Sequence, residues 1–228
     1  MKKYELTKET KTLADGTVLH RIRALRDMPM NGVKAGELGG FVEGENNLSQ
    51  DGDAWVSGDA LVSGDATVSD DALVSGNATV SDYARVSNNA RVCYNALVSG
   101  DACVSDDACV SDDAEVYGNA KVFGDAWVCD NATVSDYARV SGDALVSGDA
   151  KVSANSDYMV IKNTWSSGRW FTYTRSNRMW RVGCFYGTGE ELVKKAYADS
   201  ELSGKCYEAI VRAVETIEAA KAEAKETK

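Results

Sequence analysis

The stretch VSGDALVSGDATVSDDALVSGNATVSDYARVS, residues 56–87, repeats one six-residue word almost without change. The same frame, Ala-x-Val followed by a small or polar residue and then mostly Gly, Asp or Asn, holds across residues 54–153. Val recurs at every sixth position from Val56 to Val152, seventeen times, with Ala two residues before each, from Ala54 to Ala150. A short fixed period is the mark of a repeat architecture, and a six-residue period is that of a β-helix built from hexapeptides.

The word explains its own geometry. Along Ala-x-Val the side chains alternate, so Ala and Val share one face and x takes the other. Gly, Asp and Asn in the following positions tolerate left-handed dihedrals and suit a corner. Each word is therefore a short strand and a corner, and three words close one triangular coil. The repeat then holds between five and six coils, a prism ~27 Å long at a stacking distance of ~4.8 Å. Ala and Val fill its interior, so function belongs on the outside or at the ends.

Sorting the outward x positions coil by coil assigns three faces. The first carries Trp55, Leu73, Arg91, Cys109, Trp127 and Leu145; the second Leu61, Thr79, Leu97, Glu115, Thr133 and Lys151; the third Thr67, Arg85, Cys103, Lys121 and Arg139. The first is apolar for a solvent face, and such patches mark contact surfaces. It is expected either to lie under the C-terminal segment or to serve as an association seam in a homo-oligomer, a dimer or trimer.

The flanks depart from the frame. Residues 4–7 and 17–25 read as a hairpin turning at Asp15-Gly16, and Leu48 and Val56 lie eight apart, so the first coil is irregular. Residues 1–50 are expected to cap the open end, residues 51–153 to form the β-helix, and residues 154–228 to form a separate α+β module. In that module YMVIKNTWSSGRWFTYTRSNRMWRVGCF, residues 158–185, reads as a three-stranded antiparallel meander. Thr188-Gly-Glu-Glu191 is a capping box opening a helix. A second helix is expected from about Gly204, with Ile210, Val211, Val214 and Ile217 as its apolar stripe.

Charge and composition narrow the role. The chain of 228 residues has a formal charge of −10, which argues against a simple nucleic-acid binder. Residues 51–153 alone sum to −13, about one charge per 2 Å of prism, near the ~1.7 Å of duplex DNA. Such a rod could imitate DNA, although Asp and Asn are also simply good corner residues. No apolar run is long enough to cross a bilayer, and the first residues lack the apolar core of a signal peptide. A cytoplasmic protein of a bacterial cell, with no membrane partner, is expected. Its six cysteines show no C-x-x-C spacing and are read as free thiols. Cys93 and Cys129, two coils apart, lie ~9.6 Å from each other by stacking, beyond disulfide reach. With His20 as the one histidine, neither a three-histidine metal site nor a histidine base on a coil face is available. Catalytic residues, metal and cofactor are all expected to be none.

The C-terminal meander interleaves Lys162, Arg169, Arg175, Arg178 and Arg181 with Trp165, Trp170, Phe171, Tyr173 and Trp180. Basic and aromatic residues on a sheet bind nucleic acid or anionic ligands, dock on the acidic prism of the same or a neighbouring chain, contact a partner protein, or serve as core. The candidate binding surface is Trp165, Arg169, Trp170, Arg175, Arg178, Trp180 and Arg181.

The frame resembles the hexapeptide-repeat proteins, whose motif aliphatic-small-x-x-small-x is matched by Val62-Ser-Gly-Asp-Ala66-Thr. That resemblance implies a left-handed parallel β-helix; the hand does not follow from periodicity. The entry VKAGELGGFV, the segment LSQDGDAWV and the tail GCFYGTGEEL look like a group of bacterial and prophage-encoded members, often labelled transferases on fold alone. This implies a phage or prophage origin and brings no catalytic motif. The expected role is a non-enzymatic binding or scaffold protein acting through protein–protein contacts, with an inhibitor of a host defence or nucleic-acid-binding factor as its sharpest form. The alternative is an acyltransferase-like enzyme with an atypical site at a subunit interface.

Overall fold

The computed structural model describes residues 2–226 and divides into two compact units, 1–157 and 158–228. The first is a parallel β-solenoid. Its seventeen two-residue rungs run from Trp55–Val56 to Lys151–Val152. Successive turns stack by hydrogen bonds, as in Leu61 N–H to Ala78 O (2.9 Å) and Ser63 N–H to Val80 O (3.0 Å). The three faces are three parallel sheets, and the seven parallel strands of the second face mark six turns.

The lumen is closed by its own side chains. Every Ala from Ala54 to Ala150 and every Val from Val56 to Val152 on the six-residue frame is at most 1% exposed. The corners hold the left-handed dihedrals their residues suggested: Gly58, Gly64, Asp70, Gly76, Asp82 and Asn88 have φ between 58° and 71°. Tyr94 adopts the same conformation at φ 60°, a side chain that the corner chemistry does not anticipate. The corner carboxylates have a structural task. Asp70, Asp82, Asp106 and Asp130 each accept a backbone N–H from the matching position of the next turn, at 2.9–3.2 Å.

The N-terminal segment begins as the expected hairpin and is longer than the turn signal implies. Strand β1 (Tyr4–Thr12) pairs antiparallel with β2 (Val18–Ala24). β2 pairs with β3 (Leu38–Val42), and β3 runs parallel to the rung Leu61–Val62. The hairpin thus extends the second-face sheet and occupies its edge, where open strand groups would otherwise invite pairing. The first turn passes through Val42, Leu48 and Val56, paired with Val62, Val68 and Val74. The extra two residues between Leu48 and Val56 make it irregular, as expected. At the far end Asp157 accepts the N–H groups of Ser153 and Ala154, each at 2.9 Å, closing the last turn.

The second unit has four strands rather than three: β4 (Tyr158–Lys162), β5 (Trp170–Thr174), β6 (Met179–Val182) and β7 (Phe185–Gly187), antiparallel in that order. The three-stranded reading omits β7, and the reason is local. Gly183, at φ 58°, lets the chain reverse within two residues, so VGCF is a hairpin and not the end of one strand. Helix α1 (Gly189–Asp199) starts at the capping box, with Thr188 Oγ1 accepting from Glu191 N–H and Glu191 reaching back to Thr188 N–H. Helix α2 (Glu201–Glu226) begins three residues before the expected Gly204. Its Tyr207, Ile210, Val211 and Val214 pack with Phe171, Tyr173, Trp180 and Val182 of the sheet. Ile217 is 41% exposed and lies off this stripe.

Candidate functional site

With the lumen filled, any site in the solenoid must be built from outward side chains. The register realises the sorting by turns: on the first face Trp55, Leu73, Arg91, Cys109, Trp127 and Leu145 are consecutive ladder partners. Their exposure differs from expectation. Trp55 is fully buried, because the chain at β3 crosses it; a Cβ on Gly39 would sit 2.7 Å from the Trp55 ring and 2.5 Å from Ile22. Trp55 is therefore core and not part of an association surface. Leu73, Cys109 and Leu145 are half-buried, Arg91 is exposed, and Trp127 is 48% exposed with Nε1–H donating to Ser111 Oγ at 3.1 Å.

The third face and the corner before it form a different kind of surface. Arg85, Cys103, Lys121 and Arg139 are successive ladder partners. Three of the five cations of residues 51–153 thus stand on one face, with Arg85, Lys121 and Arg139 all exposed. The Arg139 guanidinium lies 5.3 Å from the Phe123 ring centroid. Tyr83, Tyr117 and Tyr137 occupy the preceding corner and are 61%, 40% and 78% exposed. Tyr83 and Tyr137 each stand two positions before an arginine and three turns apart, ~14 Å along the stack. Sorting by turns places these cations on one face, and the recurrence of the word Tyr-Ala-Arg at a whole number of turns repeats an exposed tyrosine at the same corner before it.

In the second unit the seven candidate binding residues do not share one surface. Trp180 is 2% exposed and packs edge-on to Phe171, so it is a core residue and not the expected surface contact. Alternation along β6 puts Trp180 and Val182 on the helix-facing side and Arg181 on the other. Arg175 is held by Glu218 through Nε to Oε2 (2.7 Å) and a second nitrogen to Oε1 (3.0 Å). Trp170 is half-buried beneath Lys162, whose Nζ lies 4.6 Å from its ring centroid. Trp165 and Arg178 are exposed on turns, and Arg169 is exposed just before β5. Arg175, Arg178 and Lys221 line a groove of about 560 Å³ between sheet and α2, but Glu215 and Glu218 line it too, so it is electrostatically mixed. Burial, followed by the Glu218 charge, raises the pKa of the Tyr173 phenol there. His20 sits on β2 with Nδ1 3.4 Å from Thr7 O, an ordinary strand position.

Among the described residues no cysteine is joined in a disulfide, but two of them meet. Cys109 is the ladder partner of Arg91 on the next turn, which sets Cys93 diagonally beside it, and the two thiols perturb each other. The neighbouring Cys109 thiol, helped by Arg91, lowers the Cys93 thiol below its ordinary value. The Cys93 thiol, together with burial, pushes Cys109 up.

These features define the protein as a parallel β-solenoid repeat protein with a small α+β unit. Two segments, residues 72–88 and 138–154, match the family described as YdcK Beta solenoid repeat. No curated protein matches the chain. No helix among the described residues is long and apolar enough to cross a membrane.

Proposed function

We propose that the chain is a non-enzymatic binding scaffold that holds a protein partner on the third face of its solenoid. The observation that carries this reading is the band of exposed Tyr83, Tyr117 and Tyr137 beside the ladder of Arg85, Lys121 and Arg139. Tyr and Arg are the residue types that dominate interface energetics, because they combine large contact area with directional polar groups. They sit on a backbone whose every rung is hydrogen-bonded to its neighbours, so little conformational entropy is lost on docking. The cations stand against a strongly acidic background, which selects a partner with a compact acidic patch and disfavours an extended polyanion. The reading of the whole rod as a DNA imitation draws less support, because corner residues such as Asp70, Asp82, Asp106 and Asp130 are accounted for by their cross-turn hydrogen bonds without any selection for charge.

The test is capture from the native host with the tagged protein and with a Tyr83→Ala/Arg85→Glu/Tyr137→Ala/Arg139→Glu variant, each followed by mass spectrometry. A partner held by the parent and lost by the variant supports the reading. Recovery of the same proteins by both rejects it.

A further inference from the structure

We propose that Cys129, Asp112 and Asp130 form a site for one thiophilic divalent metal ion of the zinc class. One ligand atom from each of the three lies within 4.8 Å of the other two. Ligands ~2.0–2.3 Å from a tetrahedral ion stand ~3.6 Å apart, so small side-chain rotations close the site without moving the backbone. Cys129 is 5% exposed and Asp130 is open to solvent, which places the thiol beneath an accessible carboxylate.

The solenoid holds the set in place. Asp112 and Asp130 occupy the same corner position on consecutive turns, with φ 60° and 59°. Each carboxylate is oriented by a hydrogen bond: Asp130 Oδ2 accepts Gly148 N–H at 2.9 Å, and Asp112 Oδ2 accepts the Ser111 hydroxyl at 2.8 Å. Ser111 Oγ in turn accepts Trp127 Nε1–H. Such supporting bonds hold metal-binding carboxylates in position. Among the described residues, no Lys, Arg or His forms an ion pair with Asp112 or Asp130, so a cation there would neutralise two adjacent negative charges.

The repeat itself shows that the fold does not call for a thiol at this position. The equivalent residues on other turns are Ser57, Ser75, Ser111 and Ser147, with Cys93 the exception. A thiolate with two carboxylates selects a borderline ion over magnesium or calcium, which prefer all-oxygen sites. On binding, the metal–sulfur bond replaces the thiol S–H bond and the proton leaves to solvent. Three protein ligands leave a fourth position for water.

The experiment is calorimetric titration of the metal-stripped full chain with Zn²⁺, repeated with Co²⁺ as an optical probe of thiolate ligation. One ion per chain with micromolar or tighter affinity is expected, weakened at least about tenfold by Cys129→Ser and by Asp130→Asn, and unchanged by Cys184→Ser. Both site variants retain the fold, since Ser fills the Cys129 position on other turns and Asn88 holds the same left-handed corner conformation as Asp130, and a melting curve without metal verifies this. Absence of binding, binding that survives Cys129→Ser, or equal competition by Mg²⁺ overturns the site.

Discussion

The Lys3 ammonium donates to the Ala54 carbonyl oxygen at 2.9 Å while its side chain is fully enclosed. Beside it, the Tyr4 hydroxyl donates to Leu48 O at 2.8 Å. Two N-terminal side chains thus satisfy carbonyls of the first solenoid turn, which has no preceding turn to supply partners.

The stability of this cap depends on pH in two opposed steps. Burial, followed by the nearby Arg26 charge, lowers the Lys3 pKa to about 8. Between that value and the ordinary lysine value the unfolded chain binds more protons than the folded one, so stability rises with pH. Burial, aided by Glu45, raises the Tyr4 pKa to about 12. Above the ordinary tyrosine value the folded chain keeps a proton that the unfolded chain loses, so stability falls. Denaturant midpoints of the solenoid should climb from pH 8 to about pH 10 and then decline. Lys3→Gln should flatten the climb; an unaltered climb would refute the assignment.

A charge in the lumen should abolish folding. Val104 is fully buried among Ala and Val, with no group positioned to pair a carboxylate. Val104→Asp is expected to cost at least about 4 kcal/mol, while Cys103→Ser, one residue away on the outer face, stays within about 0.5 kcal/mol. Circular dichroism and thermal melting separate the two, and a fully folded Val104→Asp protein would contradict the inward assignment.

The corners should tolerate Asp and Asn better than other side chains. Gly76 has φ 71°, and a Cβ there would meet the Tyr94 backbone at 2.9–3.0 Å. Gly76→Ala is expected to destabilise by about 1–2 kcal/mol through strain and contact. Asp82→Ala should lose a similar amount with its bond to Gly100 N–H, and Asp82→Asn distinctly less. Thermal melting of the three variants checks the order, and equal midpoints for Asp82→Ala and the parent would remove the carboxylate's structural role.

In the second unit, Thr188→Ala removes the side chain that caps α1 and should cost about 1 kcal/mol. The buried Trp180 makes fluorescence during urea unfolding a direct readout, and an unchanged midpoint would show that the cap contributes nothing.

The six-residue frame is sufficient to assign rungs, corners, faces and register. Each contact along the stack repeats one step, so Leu73 must meet Arg91 and Arg91 must meet Cys109. The closeness of Cys93 and Cys109 is legible in the same frame, because Cys93 directly follows the rung Arg91–Val92 that stacks on Cys109–Val110. Alternation also marks Trp180 and Val182 as one face, though not which face the helices cover.

The burial of Trp55, the enclosure of Lys3 and the Arg175–Glu218 pair lie beyond reach of the pattern. They depend on segments far along the chain that obey no repeat. Local periodicity dictates what recurs because neighbouring turns impose identical packing on every word. Where the repeat ends, placement is settled by which distant side chains compete for the same enclosed volume and the same open backbone groups, and that competition is resolved only once the chain has folded.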